Sequence, residues 1–187
     1  MNHAARLAIP GFFTRLQNGS LALKGAALVL GTAILALSSY IQVPMLPVPM
    51  TMQTFAVTMI GALYGWRLGT ATILAWLLEA AVGMPVLAGG MGGLFLFAGP
   101  TAGYLFSFPL IGALVGWLVE RGWNGKRIVF AFAAMLAGNM LCLAMGTAWL
   151  AVLVGAEKAV LAGFMPFVLG GIVKSALGAA TLKALAR

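Results

Sequence analysis

Residues 128–154 read I-V-F-A-F-A-A-M-L-A-G-N-M-L-C-L-A-M-G-T-A-W-L-A-V-L-V, with no charged side chain from end to end. A helix of about 20 apolar residues crosses the hydrocarbon core of a bilayer, because each residue adds about 1.5 Å. This run therefore predicts a transmembrane helix, and the rest of the chain repeats its character. Of the 187 residues, 63% are apolar and 7% charged, and the mean hydropathy is +1.07. Globular chains run near a quarter charged. Eleven basic and three acidic side chains are too few to coat a soluble surface, so the outside must face lipid. At about 30 residues per span and connection, the length allows about six spans. No room remains for a separate soluble domain, which excludes a built-in nucleotide-binding domain.

The whole chain, 1–187, reads as a single all-α integral membrane domain. A basic N-terminal segment, 1–20, precedes spans over about 21–41, 52–66, 68–82, 104–119, 128–154 and 160–184. Lys24 near the start of the first span can snorkel to the interface. Between the first two spans, Pro44, Pro47 and Pro49 forbid a continued helix and predict a short extended or re-entrant segment. The spans at 52–66 and 68–82 are short, so adjoining loop residues must pack into the membrane region, or the bilayer must thin there. Residues 83–103, G-M-P-V-L-A-G-G-M-G-G-L-F-L-F-A-G-P-T-A-G, are too rich in glycine for a stable helix and too apolar for a solvated loop. Irregular backbone at membrane depth is tolerated where it is buried or lines a cavity. This segment is thus the first candidate for a binding site.

The net charge of +8 is read here as membrane orientation rather than nucleic-acid binding. With the N-terminus cytoplasmic, that side holds Arg6, Arg15, Lys24, Arg67, Arg121, Lys126, Arg127, Lys183 and Arg187, against Lys158 on the other. The asymmetry predicts a compact six-helix bundle with both termini cytoplasmic, in a bacterial inner membrane, and the Pro-rich and Gly-rich segments outside. The N-terminal stretch lacks the pattern of a cleaved signal peptide. Small residues recur at four-residue spacing: Gly61, Gly65 and Gly69; Gly112 and Gly116; Gly171, Ser175 and Ala179; Ala22 with Ala26, and Ala27 with Gly31. Such spacing lets helices approach closely in lipid. On the first helix it serves packing within the bundle or contact with a partner.

Lys174 is the sharpest single signal, because a charged lysine inside a span costs about 3 kcal/mol unless it finds a counter-charge or a cavity. It either snorkels, pairs with Glu79, Glu120 or Glu157, all near span ends, or meets the carboxylate of a substrate. Glu79 is a partner for Lys174, an acceptor for a neutral ligand, or an interfacial residue. Asn139, Cys142, Gly146 and Trp149 share one face of the fifth helix; Asn139 is interhelical glue or a ligand contact. Gln53 and Tyr104, beside the irregular segments, are further candidates, with a buried amide and an interfacial aromatic as the plain alternatives. Cys142 is the single cysteine, read as a small buried hydrophobe that permits no internal disulfide or thiolate metal cage. There is no phosphate-binding loop and no His-Glu-x-x-His, and the one histidine is His3. Metal, cofactor and catalytic chemistry therefore lack their parts. Nor is there a carboxylate pair for ion coupling, so a binder energised by another protein fits better than a secondary transporter.

The strings V-P-M-T-M-Q-T-F-A-V (48–57), G-M-P-V-L-A-G-G-M-G-G (83–93), G-P-T-A-G-Y (99–104), G-N-x-x-x-x-x-x-G-T-A-W-L (138–150) and P-F-V-L-G-G-I-V-K (166–174) resemble the BioY family. These are the biotin-binding S components of energy-coupling factor (ECF) transporters. The resemblance implies a six-helix, non-enzymatic subunit that binds biotin near the outer face. It also implies partners, a transmembrane T component and two ATPases, met through small residues of the first helix, here Ala22, Ala26, Ala27 and Gly31. The family's ligand-facing lysine maps onto Lys174, and its loops onto 44–53 and 83–104, which brings in Gln53, Gly89, Gly90 and Tyr104. Family members usually carry Pro-Gly-Asp ending three residues before that lysine, where this chain has Leu169, Gly170 and Gly171. Recognition of the ureido ring by that acid does not carry over, and Glu79 or Asn139 are the candidates to replace it. An S component for another small carboxylated vitamin and a non-transporting membrane assembly factor are the alternatives. The sequence leaves a homo-oligomer open.

Overall fold

The computed structural model describes Leu16 and residues 18–186. His3, Arg6, Arg15 and Arg187 lie outside the described residues. Helix α1, Leu21–Tyr40, starts at Ser20, whose Oγ accepts the Leu23 N–H at 3.3 Å and so satisfies a free amide of the first turn. The Pro-rich stretch that follows is extended, as its prolines require. Strands β1, Gln42–Val43, and β2, Met50–Thr51, pair antiparallel with Gln42 opposite Thr51.

The spans expected at 52–66 and 68–82 form one helical stretch, α2, Gln53–Ala81, broken at Gly65 (φ 78°, ψ 171°). A Cβ built on Gly69 would lie 3.0 Å from the Cα of Gly61. Eight residues of straight helix span about 12 Å, so the chain must double back at Gly65. The sequence reading placed this break at Arg67. The structure places it two residues earlier because positive φ is easy for glycine and strained for arginine. The Trp66 N–H, left without a helical acceptor, donates to Glu120 Oε1 at 3.1 Å.

Residues 82–101 contain two short 3₁₀ turns, Ala88–Gly90 and Leu94–Phe97. Helices α3, Ala102–Glu120, and α4, Ile128–Val154, come next. Gly155 (φ 89°) interrupts the chain. From there α5, Ala156–Ala159, a π-helical turn, Val160–Phe164, and α6, Met165–Leu185, run on without a gap. The last helix therefore starts at Ala156, before the expected 160.

Among the described residues, four helical stretches are long and apolar enough to cross a membrane: Leu21–Tyr40, Ala102–Glu120, Ile128–Val154 and Ala156–Leu185. Their outer faces carry Val29, Leu37, Leu110, Val152, Leu169 and Val173, all exposed. Apolar side chains on this scale suit lipid and not water, so the chain is a multi-pass membrane protein.

Inside, Leu35, Ile73, Trp76, Ile111, Met135 and Leu150 are fully buried. The small residues are what let these helices meet. A Cβ on Gly61 would strike the Gly112 carbonyl, and one on Gly116 would lie 2.6 Å from Trp66 N. Gly61→Leu is therefore expected to cost most of the folded protein, read as the monodisperse fraction after detergent extraction. Gly25→Leu, where a Cβ meets nothing within 4 Å, should leave that fraction unchanged.

The bundle has two unlike ends. At one, Trp66 meets Glu120, and a Cβ on Gly125 would strike the Leu182 carbonyl. Lys24, Arg67, Arg121, Lys126, Arg127 and Lys183 gather there, and the Arg67 and Arg121 guanidiniums lie 5.1 and 3.7 Å from the ring centroids of Trp66 and Trp117. At the other end, the 41–52 and 82–101 segments fold over the starts of α3 and α6. The Tyr40 hydroxyl donates to the Pro85 carbonyl at 2.5 Å and ties α1 to the Gly-rich segment.

Candidate ligand-binding site

Beneath those two irregular segments lies a cavity of about 730 Å³, counting its open mouth. The Pro-rich hairpin supplies Val48, Pro49 and Thr51, and the Gly-rich segment supplies Leu87, Ala88, Met91 and Leu96. The helices supply Gln53 and Thr54 from α2, Tyr104, Leu105 and Phe108 from α3, Asn139, Cys142 and Leu143 from α4, and Phe167, Gly171 and Lys174 from α6. The wall is mostly apolar, with a few polar groups facing the same space.

Lys174 reaches this cavity rather than lipid. Its Nζ donates to Thr54 Oγ1 at 3.1 Å, so the ammonium bridges α6 to the first turn of α2. Among the described residues no carboxylate pairs with it. This part-buried ammonium has three protons to place, and a single hydroxyl leaves capacity for an anion.

Gln53 is 6% exposed and held on both sides. Its Nε2 donates to Ser39 Oγ at 3.0 Å, and its Oε1 accepts from the Thr51 hydroxyl at 3.0 Å. The amide thus fastens α1, the hairpin and α2 at the cavity rim. Asn139 is 3% exposed. Its Nδ2 donates to the Met135 carbonyl at 3.0 Å and to Ser175 Oγ at 3.1 Å. The Tyr104 hydroxyl is spent on the Gly163 carbonyl, 2.7 Å away in the π-helical turn. What Tyr104 presents is its ring, tilted 34° to Phe167 with centroids 6.4 Å apart. Gly146 makes room for that ring, because any Cβ there would overlap it.

The structure therefore brings Lys174, Gln53, Tyr104 and Asn139 into one cavity and leaves the other sequence candidates out of its wall. Gly89 (φ 69°) and Gly90 (φ 71°) shape the turn that carries Leu87, Ala88 and Met91, but do not line the cavity. Trp149 donates from Nε1 to the Gly99 carbonyl at 2.9 Å and braces the Gly-rich segment from behind. Glu79 neither lines the cavity nor pairs with Lys174; its backbone carbonyl accepts from Met84. Of the first-helix residues, Ala27 and Gly31 are buried, with a Cβ on Gly31 coming 3.0 Å from the Tyr64 ring. Ala22 and Ala26 are exposed. Thr54, Phe108 and Phe167 were missed by the sequence reading. Thr54 had a signal, as the next polar residue after Gln53 on a first helical turn, turned about 100° from it.

Such a site has a cation, fixed amides and aromatic walls. It suits a small amphipathic molecule with an anionic end and a compact polar head. Among the described residues no group of His, Cys, Asp and Glu is arranged to hold a metal ion.

A profile described as the BioY family matches residues 14–187. A relative from Rhizobium etli named "Biotin transporter BioY" is 40% identical over 116 residues, which cover 59% of this chain and 62% of that one. "Biotin transporter BioY2" of Lactococcus lactis subsp. cremoris is 35% identical over 123 residues, 66% of each chain. These matches thus span a little under two thirds of the relatives' length. A crystal structure described as the S-component for biotin from an ECF-type ABC transporter superimposes with a TM-score of 0.70 at 25% identity, over 89% of this chain and 94% of the other.

Proposed function

This chain belongs to the BioY family, and we propose that it is the biotin-binding S component of an ECF-type uptake system. The observation that carries the reading is the Lys174 ammonium, placed in a mostly apolar cavity with Thr54 as its hydrogen-bond partner and no carboxylate beside it among the described residues. A half-buried cation within a membrane span is costly without a counter-charge, and a carboxylate-bearing ligand supplies the missing charge. In this reading the ring system of biotin lies between Tyr104, Phe108 and Phe167, and its carboxylate meets Lys174. Gln53 and Asn139 provide polar contacts, while Glu79, Gly89, Gly90 and Trp149 act from behind the wall.

The two arms of α2 count as separate crossings, which makes six. The basic end of the bundle is cytoplasmic, together with both termini, and the cavity opens outward from a bacterial inner membrane. The sequence has no nucleotide-binding motif, so a T component and ATPase subunits supply the energy. The test is titration of the purified protein with biotin, followed by calorimetry or radioligand retention. Saturable binding of biotin supports the reading. Binding of a different carboxylated vitamin instead would replace it with the alternative S component, and no saturable ligand at all would favour an assembly factor.

Tyr104 separates ring packing from hydrogen bonding. Tyr104→Phe loses the bond to Gly163 but keeps the ring, so biotin affinity should fall by about fivefold, the worth of roughly 1 kcal/mol. Gly146→Val drives the ring toward the cavity and should cost far more. If the order is reversed, with the loss of the hydroxyl costing more, Tyr104 meets the ligand through its oxygen.

A further inference from the structure

We infer that Asn139 Oδ1, oriented by Ser175, is the neutral acceptor that reads an N–H of the ligand's polar head; this rests on the reading above, in which that head is a cyclic urea. The orientation follows from donor and acceptor logic. The Ser175 hydroxyl donates its single proton to the Gly171 carbonyl at 2.6 Å, so toward Asn139 it can only accept. The second neighbour of the amide nitrogen is the Met135 carbonyl, which also only accepts. Both protons of Nδ2 are therefore committed, and turning the amide over would set its oxygen against two acceptors.

That leaves Oδ1, which receives no hydrogen bond from any described residue, on a side chain that lines the cavity. The residue is 3% exposed, and an acceptor left free at a cavity wall is one that a ligand N–H can fill. Gly171 keeps the approach clear. A Cβ there would lie 3.7 Å from the Asn139 Cβ, so any larger residue at 171 would stand over the amide. Among the described residues no carboxylate lines the cavity, so the acceptor for a neutral N–H must itself be neutral. Ser175 is a positioning residue: it is fully buried and acts through Asn139.

The test pairs protein variants with biotin and with biotin methylated on the ureido nitrogens, which lacks the N–H. For the unaltered protein, methylation should weaken binding at least tenfold. Asn139→Ala should weaken biotin binding by a similar factor while leaving the methylated compound within about threefold of its original affinity, so the two losses do not add. Ser175→Ala frees the amide to rotate and should show the same pattern in smaller degree, about three- to tenfold for biotin. It carries the comparison if Asn139→Ala does not fold. Fully additive losses would make Asn139 a structural residue and overturn the assignment while leaving biotin as ligand. Absence of saturable biotin binding by the unaltered protein would overturn the ligand reading and this inference with it.

Discussion

Lys174→Ala is expected to weaken binding of free biotin by about a hundredfold or more, and binding of its methyl ester by less than about threefold. Truncating one partner of a buried, hydrogen-bonded charge pair costs roughly 2–5 kcal/mol, and each 1.4 kcal/mol is a factor of ten. A hundredfold is about 2.7 kcal/mol, inside that range. The half-buried ammonium lies in a mostly apolar wall, with the Thr54 hydroxyl at 3.1 Å as its hydrogen-bond partner, so an arriving carboxylate meets a cation screened less than one on an open surface. The ester has no such charge to lose. Thr54→Val removes only the hydroxyl and should change free-acid affinity by less than about tenfold. Equal losses of acid and ester in Lys174→Ala would remove the carboxylate-anchor role, and the ammonium would then be holding α2 to α6.

Much of this site was legible because a charge in a membrane span must be explained. Lys174 stood out against apolar neighbours, and the 83–103 segment stood out as irregular backbone without charge. Reading depth along a helix was harder. Asn139, Cys142 and Trp149 share a face of α4, but ten residues of helix are about 15 Å. Asn139 and Cys142 therefore line the cavity, while Trp149 passes beyond it to the Gly99 carbonyl. Thr54 was missed for a related reason. Gln53 is the more polar neighbour, yet its amide is consumed by Ser39 and Thr51, and the next residue around the turn is the one that meets Lys174. The break in α2 depended on backbone rather than hydropathy. An arginine ends an apolar run, but a glycine is what can reverse the chain. On the first helix, spacing alone grouped Ala22, Ala26, Ala27 and Gly31, and packing divides them into an exposed pair and a buried pair.

That division shapes the second large effect, the loss of energised uptake. Ala26→Trp should abolish ATP-dependent biotin accumulation in the presence of the T component and ATPases, while the affinity of the isolated protein for biotin changes by less than about twofold. Ala26 is exposed with Ala22 one turn before it, so the face is smooth enough for a partner helix to come close, and an indole would hold that helix away. The cavity is insulated from the change, because no residue of Leu21–Tyr40 lines it. Ala27→Trp is a different experiment. Ala27 is 7% exposed, so its enlargement should lower the yield of folded protein before coupling can be measured, as overpacking does. Co-purification with the partner subunits separates the two effects: Ala26→Trp should bind biotin but fail to retain the T component. If it retains the partners and loses biotin instead, α1 belongs to the binding site, and the coupling surface must lie on another of the exposed helix faces.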